Sequence, residues 1–101
     1  TTPYHRIAPL EYRTSREQAY AALRAIIEST PRTRLVEAQP DYLYAEYESA
    51  LMGYVDDVEF FFPADAKIIH VRSASRLGRS DLGVNRRRIE AIRARLAASG
   101  A

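Results

Sequence analysis

The apolar residues Ala19, Leu23, Ile26 and Ile27 recur at helical spacing. They follow two overlapping capping-box signatures, Thr14 with Glu17 and Ser15 with Gln18, and predict a helix that stops at Ser29, Thr30 and Pro31. A second helical stripe, Ile89, Ile92 and Leu96, predicts a closing helix that runs to about Ala98. Between the two helices the pattern is that of strands: Arg34–Ala38, Tyr42–Ser49, Val55–Phe62 and Lys67–Ser75. Gln39-Pro40-Asp41, a turn over Leu51–Tyr54 and Pro63-Ala64-Asp65-Ala66 separate them. Ile7–Tyr12 is short and β-prone, but Pro9 has no N–H to give a ladder, so this segment reads as an edge strand. The predicted order is β-α-β-β-β-β-α over a single domain spanning residues 1–101.

Consecutive hairpins favour a twisted antiparallel sheet, and two amphipathic helices cover one face of it, an α+β fold. A turn over Pro63–Ala66 sets Phe60 opposite Ile69 and Val58 opposite Val71, with Asp57 meeting Arg72 and Glu59 meeting His70 on the reverse face. Leu43, Ala45 and Tyr47 then point to the core, while Tyr44, Glu46 and Glu48 lie beside Phe61, Glu59 and Asp57. The uncovered face thus gathers Glu46, Glu48, Asp57 and Glu59 with Arg72 and His70 to offset them, and like charges side by side destabilise a sheet. Water and salt, or a basic partner surface, would compensate. A metal fits poorly, because His70 is the one nitrogen ligand there. Tyr42, Tyr44, Phe61 and Ile68 form an apolar strip at one end of this face, the signature of an interface.

The segment from Ile68 to Arg88, IIHVRSASRLGRSDLGVNRRR, runs from a strand into a polar, glycine-hinged loop and on to an arginine-rich helix. Ser73, Ser75 and Ser80 supply hydrogen-bonding groups, and Arg72, Arg76 and Arg79 supply charge. Two uses compete. In one, Ser80 or Asp81 caps the helix, Asn85 faces the buried stripe four residues before Ile89, and Arg86 with Asp57 closes a structural network. In the other, the free amides of the helix start and the arginines hold a phosphate or carboxylate group.

These stretches resemble a known family. VRSASRLGRSDLGVNRRRIEAIRARL, together with PRTRLVEAQPDYLYAEYESALMGYVDDVEFFF and the opening HRIAPLEY, is similar to the domain of unknown function 1499 family over nearly the whole chain. The family has no established biochemical activity, so the resemblance implies architecture. Its members often carry an amino-terminal signal or membrane anchor, which implies a place in the cell envelope, periplasmic or membrane-associated. The Thr-Thr-Pro start without methionine fits removal of an upstream segment.

Composition narrows the chemistry. The chain has 101 residues, 47% of them hydrophobic, enough for one core, and no cysteine, which removes disulfides and thiolate metal sites. No apolar run reaches the roughly 20 residues needed to span a bilayer. Residues 72–95 hold eight arginines against two carboxylates, a net +6, and the other seven basic and eleven acidic residues leave −4. Such a dipolar chain offers a basic end to anions. The arginine triplet 86–88 has no interleaved aromatics for nucleic-acid stacking, and the acidic sheet would repel a phosphate backbone. G-x-S-x-G, Walker and dinucleotide motifs are absent, Asp56 and Asp57 point to opposite faces of a strand, and no cofactor is implied. The expectation is an interaction or accessory domain without catalysis, docking on a membrane-associated protein or larger assembly; the alternative is a module for a small anionic or amphipathic, lipid-like ligand.

Overall fold

The computed structural model describes residues 7–49, 53–76 and 82–101. Its elements are β1 (Leu10–Glu11), α1 (Arg16–Glu28), β2 (Thr33–Gln39), β3 (Tyr42–Glu48), β4 (Val55–Phe61), β5 (Ile68–Ser75) and α2 (Leu82–Ala98). This is the predicted α+β order. The strands form one antiparallel sheet in the order β1-β5-β4-β3-β2, with β1 and β2 at its edges.

Of the two capping signatures, Ser15 with Gln18 is the one that closes: the Gln18 amide donates to Ser15 Oγ at 3.1 Å and the Ser15 amide to Gln18 Oε1 at 3.4 Å. The buried residues of α1 are Ala19, Leu23, Ile26 and Ile27, the predicted stripe. Its last turn carries no basic residue of its own. Arg95 of α2 supplies the positive charge instead, donating to Ser29 Oγ at 2.8 Å and Thr30 Oγ1 at 3.3 Å where the helix dipole is negative. Ile89, Ile92 and Leu96 of α2 close over Leu43, Val58, Phe60 and Ile69 in one core.

Three local departures follow from named contacts. β1 is two residues long, because the segment before it is claimed by α2: Arg93 donates to the carbonyls of Ala8 and Pro9 at 2.9 and 2.8 Å. The β4–β5 register is displaced by two residues from the expected one, so Phe60 faces Val71, Val58 faces Ser73, Glu59 faces Arg72 and Phe61 faces His70, while Asp57 lies opposite Ala74. The cause is Phe62. It leaves the ladder and enters the core at 2% exposure, its amide bonded to the Asp41 carbonyl and its ring 5.4 Å from that of Tyr20. The start of β5 pairs instead with β1, Leu10 opposite Ile69 and Glu11 opposite Ile68.

The β3–β4 register is also displaced by two, with Tyr42 opposite Phe61, Tyr44 opposite Glu59 and Glu46 opposite Asp57. Here the turn closes early, through the Ser49 amide to the Tyr54 carbonyl at 2.8 Å. Gly53 takes a φ of 68°, which suits glycine. Because strand side chains alternate with period two, a two-residue slide changes partners and keeps faces, so every strand residue assigned to the core or to the reverse side stays there.

Phe62→Ala should therefore lower the free energy of unfolding by about 3–5 kcal/mol in urea titration, the cost of emptying a core aromatic site. Its neighbour Phe61→Ala, on the open face, should cost less than about 1 kcal/mol. Equal losses would contradict the assignment of Phe62 to the core.

Candidate functional site

Two polar clusters flank the β4–β5 end of the sheet, one on each face. Strand alternation creates them by sending Asp56 and Asp57 to opposite sides.

On the open face, Asp57 is held by Arg76, which donates from Nε at 3.0 Å and from Nη2 at 2.9 Å. The same Nη2 reaches Glu46 and, at 3.3 Å, the Tyr44 hydroxyl, which itself donates to Asp57 at 2.5 Å. Arg34 adds a second guanidinium on Glu46, at 3.0 Å from Nη2. These bonds set the proton affinities. The carboxyls of Asp57 and Glu46 are held below their usual range chiefly by the hydrogen bonds from Arg76. The Tyr44 hydroxyl is pushed up by its bond to Asp57 and Arg76 is raised by the same carboxylate, so both keep their protons.

The carboxylate crowding expected on this face is thus relieved from within. Arg34 and Arg76 do what the pairing of Asp57 with Arg72 was expected to do; Arg72 instead lies 4.0 Å from Glu59. Tyr42 donates to Glu59 at 2.6 Å, and burial with that bond raises its hydroxyl. The Tyr42 ring packs 5.1 Å from Phe61, which is 40% exposed beside the exposed His70. Tyr44 and Ile68 are half-buried on the same face. Of the four strip residues, only Tyr42 and Phe61 form a direct ring pair, because the hydroxyl of Tyr44 is drawn toward Asp57 and Arg76.

On the core face, Asp56 is paired with Arg88 of α2 at 2.9 Å, and each side chain is only 13% exposed. Arg88 Nη1 also donates to Asn85 Oδ1 at 2.9 Å, and Ser73 donates its hydroxyl to the same oxygen. Ser73 and Asn85 are buried, and Ser75, half-buried, stands opposite Asp56. The Arg88 guanidinium lies over the Tyr47 ring, 4.8 Å from its centre, a cation–π arrangement.

The arginine expected to close the network, Arg86, is exposed and does not join Asp57. It lies about 100° around the helix from Asn85, whereas Arg88, three residues on, shares its face. Ser80 and Asp81, the expected helix caps, lie outside the described residues. Reading the sequence misses Arg88, Asp56 and Arg34 as network residues, places Glu46 on the open face without its arginine partners, and places Tyr47 in the core without its hydroxyl's role. The signal for the first pair was there: a carboxylate at a core-facing strand position demands a buried cation, and Asn85, Arg88, Ile89 and Ile92 fall on one helical stripe.

Among the described residues, no group of three or more His, Asp or Glu side chains is placed to hold a metal ion, and no helix is long and apolar enough to cross a membrane.

A group whose folded proton affinity is depressed adds stability that is complete at neutral pH and disappears as pH falls through the folded value. For Asp57 and Glu46 that loss lies below their ordinary values of 3.8 and 4.5. Wild-type melting temperature should therefore fall as pH drops below about 4, and Arg76→Ala should flatten that acid limb while lowering the melting temperature at pH 7 only slightly. Parallel melting curves for the two proteins between pH 7 and pH 2 would contradict the network.

No curated protein and no solved structure matches the chain. A family model described as "Protein of unknown function (DUF1499)" matches residues 1–96, which include every strand and nearly all of α2. The chain belongs to the DUF1499 family.

Proposed function

We propose that this domain is a non-catalytic interaction module of the cell envelope whose open sheet face docks on a basic segment of a membrane-associated partner protein. The observation that carries the reading is the Tyr42–Phe61 ring pair on the face of the sheet opposite α1 and α2. Glu37, Asp41 and Glu59 surround it in a shallow depression of about 600 Å³ that also includes His70. An aromatic centre with a polar rim is the usual anatomy of a protein interface, and such a centre tends to carry most of the binding energy.

The rim selects the partner's chemistry. Three carboxylates around an exposed ring favour a lysine or arginine, which gains both the charge and the ring face. The arginines at the other end of the face, Arg34 and Arg76, are occupied by Glu46 and Asp57; at this end Arg72 approaches Glu59 at 4.0 Å, one cation against the three rim carboxylates. The envelope location is supported by what the family resemblance implies. A cleft on the helix side of the sheet favours a second reading, binding of a small anionic or amphipathic ligand.

A photo-crosslinking residue in place of Phe61, introduced into the full-length protein in its native cells, should give one discrete adduct in the membrane fraction. Its partner peptide should be rich in lysine and arginine. The same probe in place of Glu90, on the exposed side of α2, should give none. Equal labelling from both positions, or an adduct with an acidic peptide, would defeat the proposal.

A further inference from the structure

A cleft of about 390 Å³ opens on the helix side of the sheet, where the turn after α1, the end of β3 and α2 meet. That volume lies in the range of small-molecule sites. Pro31, Val84, Ala91 and Ile92 give it apolar surface. Its polar lining holds Tyr47 and three arginines, Arg32, Arg88 and Arg95, against one carboxylate, Glu48, a net positive charge.

Two features of the polar lining are unfinished. Tyr47 is 5% exposed, and its hydroxyl is buried without a hydrogen-bond partner. A buried hydroxyl left unsatisfied costs about 1–3 kcal/mol, so native structures rarely keep one without a reason. Burial pushes this hydroxyl up to about 12, so it remains a proton donor through the physiological range. The second feature is Arg88. Its bonds to Asp56 and Asn85 both leave from Nη1, and among the described residues Nε and Nη2 donate to none. A guanidinium with one edge neutralised by a carboxylate and another edge unused can take a second oxyanion. Beside the cleft, Arg32 holds a φ of 55°, a left-handed conformation that disfavours a side chain and is often kept at binding sites.

We propose that this cleft binds a small amphipathic anion, its carboxylate or phosphate monoester head on Arg88 and the Tyr47 hydroxyl, its hydrocarbon body on Val84, Ala91 and Ile92. The proposal is independent of docking through Phe61, which lies on the opposite face of the sheet.

Octanoate and octyl phosphate, which share a tail, separate the two sources of such a head, a fatty acid and a phosphorylated lipid fragment; octanol is the uncharged control. Titrated into ¹⁵N-labelled protein, at least one of the two anions should saturate, with shifts centred on Val84, Ala91 and Ile92, and should bind about tenfold or more tighter than octanol. Because Arg88 also neutralises Asp56, its replacement risks unfolding, and two milder variants carry the test. Tyr47→Phe should weaken the anion about tenfold, and Ala91→Phe, at an exposed helix position, should block the cleft while leaving melting temperature near wild type. Phe61→Ala should bind as wild type does. Octanol binding as well as the anions, shifts centred on the Tyr42–Phe61 face, or undiminished binding by both cleft variants would overturn the assignment, as would no saturation by either anion.

Discussion

A carboxylate on the core side of β4 governs much of this molecule. Asp56 faces the helices because Asp57, next in the strand, faces away, and a charge in that position is tolerated only if a cation meets it. The cation must come from α2, whose Arg88 reaches it at 2.9 Å. Ser73 and Asn85, each buried, supply the hydrogen bonds that complete the contact. A helix attached through a charge pair is fixed in rotation and in height along the strand, more narrowly than apolar packing alone would fix it. Ile89, Ile92 and Leu96 then fall onto the core, and Arg95, seven residues beyond Arg88, arrives at the carboxy end of α1. The same placement sets Arg88 over the Tyr47 ring in the lining of the cleft, with Nε and Nη2 donating to none of the described residues.

The open face obeys a different constraint. Its carboxylates need compensation, and Arg34 and Arg76 provide it over Glu46 and Asp57. Charge at that end is therefore largely satisfied within the chain, and exposed pairs of this kind add little stability each. The opposite end, around Tyr42 and Phe61, keeps an aromatic pair with carboxylates on its rim. The sheet is therefore self-neutralised at one end and aromatic with an acidic rim at the other, which gives the face a direction. Four of the eight arginines of residues 72–95 are engaged in internal contacts: Arg76, Arg88, Arg93 and Arg95 each bind a carboxylate, a carbonyl or a hydroxyl of this chain.

Much of the fold was legible because it depends on local periods. Alternation assigned both sheet faces correctly, the capping residues located α1, and the stripe through Ile89 located the buried side of α2. Register was less legible, because it depends on where a turn closes and on one residue, Phe62, choosing the core over the ladder. Two-residue slides are invisible to a period of two. The polar network was half legible. Ser73, Asn85, Asp57 and Arg76 do bear polar contacts, but Arg86 stood in for Arg88 because three consecutive arginines offer no contrast unless helical phase is measured from Asn85. Tyr47 was read as a core residue, which it is, and nothing in the sequence marks its hydroxyl as unpartnered.

The pairing of Asp56 with Arg88 is tested most directly by a double-mutant cycle on the free energy of unfolding, using Asp56→Ala, Arg88→Ala and the double variant. Each single change should cost about 3–5 kcal/mol, because it strands a buried charge, and the double variant should cost less than their sum by at least about 2 kcal/mol. Losses that add to within about 0.5 kcal/mol would show that the two side chains do not depend on each other, and that α2 is held to the sheet by something else.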